Sequence, residues 1–274
     1  MTTQFPYTGP LKAVILDWAG TVVDFGSFAP TLTFLKLFSE KGITITTEQV
    51  RKHMGLKKRD HLKAILFSED VSVQWQAQQG ALPTEADVDA LYEEFLPLQI
   101  KTAVERAEPI SGALDAIAAF RERGMKIGSN TGYTRAIMDE VEKAAAEYGY
   151  KPDACLGSDE VSAGRPAPWM AYKIAEQFGI YPMHAIVKIG DTPVDIEEGH
   201  NAGMWTIGLA MSGNSLGLTA EQVEMLSPEQ AAAERDRITA MFKGVNAHYV
   251  VDSLADVPSI LDQIEERLKN GEKP

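Results

Sequence analysis

The chain has 274 residues, with 26 Lys and Arg against 39 Asp and Glu, and a net charge of −13. That balance repels the phosphate backbone of nucleic acids and anionic lipid surfaces, while 45% hydrophobic and 24% charged residues exclude a disordered or fibrous chain. No apolar run approaches the roughly 18 to 20 residues that cross a bilayer, Met1 to Pro10 lacks the basic-then-apolar order of a secretory signal, and the single cysteine, Cys155, leaves no internal disulfide. A cytoplasmic protein acting on a small molecule is expected, with neither nucleic acid nor membrane as partner.

Taken in chain order, Leu11-Lys-Ala-Val-Ile-Leu-Asp17 is a short apolar run ending in an acid, followed by Gly20. It reads as a buried parallel strand that delivers Asp17 to its carboxyl end, where open α/β sheets bind ligands. From Phe25 to about Arg106 only helical segments appear: Pro30 to Lys41, Thr47 to Met54, Arg59 to Phe67 and Thr84 to Arg106. Ser111 then caps a helix to about Arg123, with Gly124 as its left-handed stop. Strand-like runs return at Met125 to Ser129, Ala154 to Leu156, Ala185 to Ile189, Trp205 to Leu209 and His248 to Val251, mostly separated by helical patterns. The alternation predicts an α/β fold with a doubly wound, Rossmann-like parallel sheet. Residues 1–24 and 107–274 would form this core, and 25–106 a helical cap inserted after the first strand. The tail Lys269 to Pro274 is expected to fray.

Five stretches carry chemistry-bearing side chains. Asp17-Trp-Ala-Gly-Thr-Val-Val-Asp24 sets an acid at a strand end before a glycine turn and a hydroxyl; alone it reads equally as an Asp capping its own loop. Lys188-Ile-Gly-Asp-Thr-Pro-Val-Asp195 is a second strand ending in an acid, Asp191. Asp195, four residues on, suits either orientation of the site or capping of the next helix. In Ile127-Gly-Ser-Asn-Thr131-Gly132, Thr131 and the amides after it can hold phosphate oxygens. Gly164-Arg-Pro-Ala-Pro168 offers the Arg165 guanidinium to an oxyanion. In Met54-Gly-Leu-Lys-Lys58-Arg-Asp-His61, helical spacing places Met54, Lys58 and His61 on one face. A Lys-Lys-Arg run is ordinarily a solvated face. An amine there that forms an imine with an aldehyde must first be neutral, and at a pKa of about 10.4 only roughly one in 2,500 is neutral at pH 7. Burial under a cap, Lys57, Arg59 and a bound cation would each push the pKa down.

The first four stretches, taken in their order along the chain, resemble the motifs of the haloacid dehalogenase superfamily. The resemblance implies that Asp17 is a nucleophile forming a covalent aspartyl intermediate. It further implies that Mg2+ is held by Asp17, the Ala19 carbonyl and Asp191, and that Thr131, Gly132 and Arg165 bind phosphate, Arg165 standing where the superfamily carries lysine. Phosphatases of the superfamily keep a second Asp two residues after the nucleophile as general acid. Here that position is Ala19, which removes a contribution of roughly 10²- to 10⁴-fold toward an alkoxide leaving group.

The Met54 to His61 element resembles the phosphonoacetaldehyde hydrolase family, as do Phe28-Ala-Pro30, Leu82 to Asp87, Gly132-Tyr-Thr-Arg135, Pro168-Trp-Met170 and Asn201 to Trp205. This implies C–P hydrolysis of phosphonoacetaldehyde to acetaldehyde and phosphate, through a Lys58 Schiff base and an Asp17 aspartyl phosphate, in a homodimer joined partly through the cap. His61 would shuttle protons or touch the phosphonate, Met54 would pack, and Ser27 stands where some members carry cysteine. Two other readings remain: a metal-independent 2-haloacid dehalogenase, and a catalytically silent member that binds a phosphorylated ligand. Asp24 stays open between hinge capping and mechanism.

Overall fold

A computed structural model describes residues 7–54 and 56–274. After β1 (Ala13–Leu16), five helices follow without an intervening strand among the described residues: α1 (Phe28–Glu40), α2 (Thr47–Arg51), α3 (Lys58–Leu66), α4 (Glu69–Gln79) and α5 (Glu85–Val104). The chain then alternates through α6 (Ala113–Glu122), β2 (Lys126–Asn130), α7 (Arg135–Glu147), β3 (Ala154–Leu156), α8 (Trp169–Phe178), β4 (Ile186–Gly190), α9 (Pro193–Ala202) and β5 (Trp205–Leu209). Helices α10 (Ala220–Glu224) and α11 (Pro228–Gly244) precede β6 (Tyr249–Val251), and α12 (Val257–Lys269) closes the chain.

The six strands form one parallel sheet in the order β3-β2-β1-β4-β5-β6. The order reverses at β1, so the chain departs to opposite sides from β1 and leaves a crevice at the carboxyl ends of β1, β2 and β4. β1 and β5 are buried at every residue, as parallel strands covered on both faces require. The expected α/β doubly wound sheet is the observed one.

The five-helix insertion gathers its own apolar cluster, including Phe34, Phe38, Leu62, Trp75, Leu91 and Phe95, separate from the clusters on the sheet. Thr84 and Asp87 form a reciprocal capping box that starts α5, and α5 also packs on α7. At the other end of the insertion, Asp24 accepts from the Phe28 and Ala29 amides at 3.1 and 2.8 Å and faces Arg106 at 3.5 Å. Its carboxylate therefore caps α1 and clasps the two connecting segments together.

One expectation needs correction. The N-cap of α6 is Gly112 at φ +77, not Ser111; a Cβ at this position would come 2.8 Å from that of Ala255, so a tight glycine turn starts the helix. At the tail, the Gly271 and Glu272 amides return to the Leu268 and Arg267 carbonyls and close the end of α12.

Candidate active site

Register places the chemistry. Leu16 pairs with Ile189 on β4 and Ser129 on β2, so the residues that follow these strands converge in the crevice. Asp17, Asp191 and Asp195 each bring a carboxylate oxygen within 4.8 Å of the others, and all three are buried. Glycine makes room for them. A Cβ on Gly20, already at φ +82, would sit 2.1 Å from Asp191 Oδ2, and one on Gly213 would sit 2.3 Å from Asp191 Cβ.

Burial pushes Asp17 and Asp191 up from the ordinary carboxylate range, and Asp191 is raised further by its Asp17 neighbour. The Asn214 amide donates to Asp191 Oδ2 at 2.6 Å, while Oδ1 is buried with no hydrogen-bond partner among the described residues. Two adjacent buried carboxylates, one with an unused oxygen, make a donor set suited to a hard divalent cation.

Asp195 is differently employed. It accepts from Arg165 Nη1, from Lys188 Nζ at 3.0 Å and from Thr192 Oγ1 at 2.6 Å. Burial alone would raise it, but Arg165 and Lys188 outweigh that and hold it below the usual range. Asp195 thus caps α9 and also pairs with Arg165, which reaches into the site. Behind it, fully buried Lys188 also meets Glu198 at 3.2 Å and Asn130 Oδ1 at 2.7 Å, and Asn130 Nδ2 donates to both Glu198 oxygens. Arg165 reaches forward with Nη2 to Asp17 Oδ1 at 3.2 Å. Its burial, which disfavours charge, is outweighed by Asp17, Asp195 and Glu198, so it stays protonated.

The insertion closes the crevice from above. Asp17, Ala19, Lys58, Thr131, Arg165 and Asp191 share one small cavity, also lined by Gly132, Tyr133, Met54 and Ser27. Lys58, the first residue of α3, is 3% exposed. Its Nζ lies 4.0 Å from Met54 Sδ and 5.1 Å from the Tyr133 ring centroid. Burial lowers its pKa to about 7; Asp17 opposes the fall and Arg165 adds to it.

The structure brings together Asp17, Ala19, Lys58, Thr131, Gly132, Arg165 and Asp191 but sets His61 apart. His61 is fully buried one turn along α3, its Nε2 on the Val50 carbonyl at 2.8 Å and its ring 4.1 Å from that of Phe34. It does not line the cavity, and burial followed by the Lys58 charge holds it well below an ordinary histidine. The substrate contact read for His61 is not met by this placement. Met54, expected only to pack, joins the apolar cluster and also lines the cavity. Arg59, expected to depress Lys58, points away into ion pairs with Glu85 and Asp89, and Arg165 is the neighbouring cation that matters. Of the amides after Thr131, that of Tyr133 is turned onto Thr131 Oγ1 at 3.2 Å.

Sequence reasoning overlooked Lys188, Asn130 and Glu198 beneath the site and Tyr133 within it. A lysine inside the apolar run Ile186-Val-Lys-Ile-Gly190 was the available signal, since a charge in a covered strand must be paired.

The haloacid dehalogenase-like hydrolase family matches residues 11–203. A phosphonoacetaldehyde hydrolase of Bacillus cereus is 44% identical over 94% of this chain and 97% of its own length. One from Nitratidesulfovibrio vulgaris is 42% identical over 98% and 96%. The chain belongs to the phosphonoacetaldehyde hydrolase family of haloacid dehalogenase-like hydrolases. In agreement, the crystal structure of a phosphonoacetaldehyde hydrolase-like protein from Oleispira antarctica superposes with a TM-score of 0.97, covering 100% of this chain and 99% of that one at 36% identity. The protein is accordingly an enzyme and a hydrolase, and no helix among its described residues is long and apolar enough to cross a membrane.

Proposed function

We propose that this enzyme hydrolyses the C–P bond of phosphonoacetaldehyde to acetaldehyde and phosphate, by way of a Lys58 Schiff base and an Asp17 aspartyl phosphate. The observation that carries the reading is the amine of Lys58 buried in the same small cavity as Asp17, with its pKa lowered to about 7. A 2-haloacid dehalogenase displaces halide with a carboxylate alone and has no use for such an amine; a silent binder has no use for either.

Lys58 Nζ adds to the aldehyde carbonyl and water leaves, giving a protonated imine. Asp17 then attacks phosphorus in line. The C–P bond breaks, and its electron pair forms the C=C bond of an enamine while the imine π pair moves to Nζ. No proton need be delivered to the leaving carbon at that moment, which is why Ala19 serves where a phosphatase needs an acid. Arg165, held by Asp195, and Thr131 with Gly132 neutralise and orient the phosphoryl oxygens. Protonation of the enamine at carbon and hydrolysis of the resulting imine release acetaldehyde and free Lys58, and water cleaves the aspartyl phosphate to phosphate and Asp17. Asp17, Asp191 and the Ala19 carbonyl would hold Mg2+, which supplies charge neutralisation at the phosphoryl group.

Residues 25–106 act in this reading as a cap domain that carries Lys58 and excludes water, on a core of residues 1–24 and 107–274. The enzyme would work in the cytoplasm as a homodimer. The test is acetaldehyde release from phosphonoacetaldehyde with and without Mg2+: release that depends on Mg2+ and disappears in a folded Lys58→Ala variant supports the reading, and activity retained by that variant overturns it.

A further inference from the structure

Lys58 and Asp17 belong to different layers, so the reaction depends on how closely the insertion is seated on the sheet. One side chain of the insertion grips the core beside the site. Arg51, at the end of α2, sends Nη1 to the Gly26 carbonyl at 2.8 Å, the Asn214 carbonyl at 2.7 Å and Asn214 Oδ1 at 3.2 Å. Asn214 Nδ2 returns to the Arg51 carbonyl at 3.3 Å. The guanidinium stacks 5.0 Å from the Phe28 ring, and a Cβ on Gly217 would come 3.1 Å from Arg51 Cζ, so the seat is shaped to the group. The same Asn214 donates its amide to Asp191 Oδ2, and Gly26 is tied to Ser212, whose hydroxyl reaches the Gly20 carbonyl at 3.1 Å. Both anchor points of Arg51 are therefore one residue removed from the loop and the acid that shape the site.

We infer that Arg51 is a positioning residue that latches the insertion to the Asn214 loop of the core, with Gly26 at the insertion's own start held in the same grip, and so sets the distance between Lys58 and the Asp17–Asp191 pair. The inference rests on the proposed reaction for its functional meaning, but its geometry stands independently. Stability alone gives a poor account of Arg51. Its Nε and Nη2 are buried without partners among the described residues, and unspent buried donors cost free energy. A second long cationic reach from this stretch, Lys57 Nζ to the Val161 carbonyl, is 3.4 Å and meets a different loop of the core.

The test uses the full chain in a Cys155→Ser background with spin labels at Gln76→Cys on α4 and Ala146→Cys on α7, both exposed, in Mg2+ and inorganic phosphate. The Arg51→Met variant is expected to move the label distances from one short population toward longer ones. It should lower kcat about 100-fold, the scale of a misplacement of about 1 Å, with the thermal midpoint unchanged. Arg51→Lys, which keeps the charge and the reach, should recover part of both. Should Arg51→Met fold poorly, Arg51→Gln is held to the same readouts. Unchanged distances in the Met or Gln variant, or activity lost only in step with folded protein, would overturn the latch. A wild-type enzyme silent toward phosphonoacetaldehyde would instead overturn the proposed reaction and leave the distance measurement to decide the latch.

Discussion

The Lys58→Met substitution tests the feature on which the chemistry turns. Lys58 is 3% exposed with a pKa of about 7, against about 10.4 in an unfolded chain. A folded-state pKa depressed in this way contributes stability that is fully present above about pH 10.4 and is lost as pH falls toward the folded value near 7. At 1.36 kcal/mol per unit, the amine destabilises the wild type by about 4 kcal/mol at pH 7 and by under about 1 kcal/mol at pH 10. Methionine has similar bulk and no charge. Urea unfolding of both proteins at pH 7, 8, 9 and 10 should therefore show Lys58→Met more stable at pH 7, with the advantage shrinking by roughly 1 kcal/mol per pH unit. A difference that stays constant across this range would mean that Lys58 titrates as an ordinary lysine and that the cavity does not activate it.

Other outcomes follow from neighbouring groups. Burial raises Asp24 to about 6 despite the α1 amides and Arg106, so its stability contribution is fully present below about pH 3.9 and lost as pH rises through 6; Asp24→Asn, which can keep one of the two bonds from α1, should flatten that part of a thermal-melt profile between pH 4 and 7, and an unchanged slope would contradict it. Gly20→Ala should reduce Mg2+ affinity in calorimetry and acetaldehyde release together, because the new methyl collides with Asp191 Oδ2; normal metal binding would show that the carboxylate does not need this floor. Lys188→Met removes the one cation paired with Glu198 among the described residues and one of the two paired with Asp195, and should cost about 3–5 kcal/mol in denaturant unfolding, with a milder loss arguing that the network is not charged as described. Chelation should stop turnover and Mg2+ should restore it, whereas activity in excess chelator would favour the metal-free dehalogenase chemistry.

The centre of the sheet was legible because β1, β4 and β5 are buried throughout and appear as largely apolar runs, with Asp17 and Asp191 marking the carboxyl ends of β1 and β4. The first turn of α6 was not, because Gly112 answers a contact with Ala255, far downstream in the chain. Lys58 was legible only through its surrounding motif; in isolation Lys57, Lys58 and Arg59 look alike. The fold separates them, sending Lys57 to Val161, Lys58 into the cavity and Arg59 to Glu85 and Asp89. Met54 packs as expected but also lines the cavity while His61 does not; α3 starts at Lys58, so Met54 lies outside the helix and the face expected from periodicity does not extend to it. Helical spacing could not foresee that break. The Arg51–Asn214 contact joins residues 163 positions apart, and no local pattern in either stretch announces it.

The central claim is that one amine and one carboxylate divide the reaction between them. Its most direct test is to incubate the enzyme with phosphonoacetaldehyde and Mg2+, add borohydride and map the modified peptide by mass spectrometry. The account requires a reduced two-carbon adduct on Lys58, with loss of activity in proportion to labelling and no adduct in Lys58→Arg. Acetaldehyde release without any adduct on Lys58, or an adduct confined to another lysine, would contradict it.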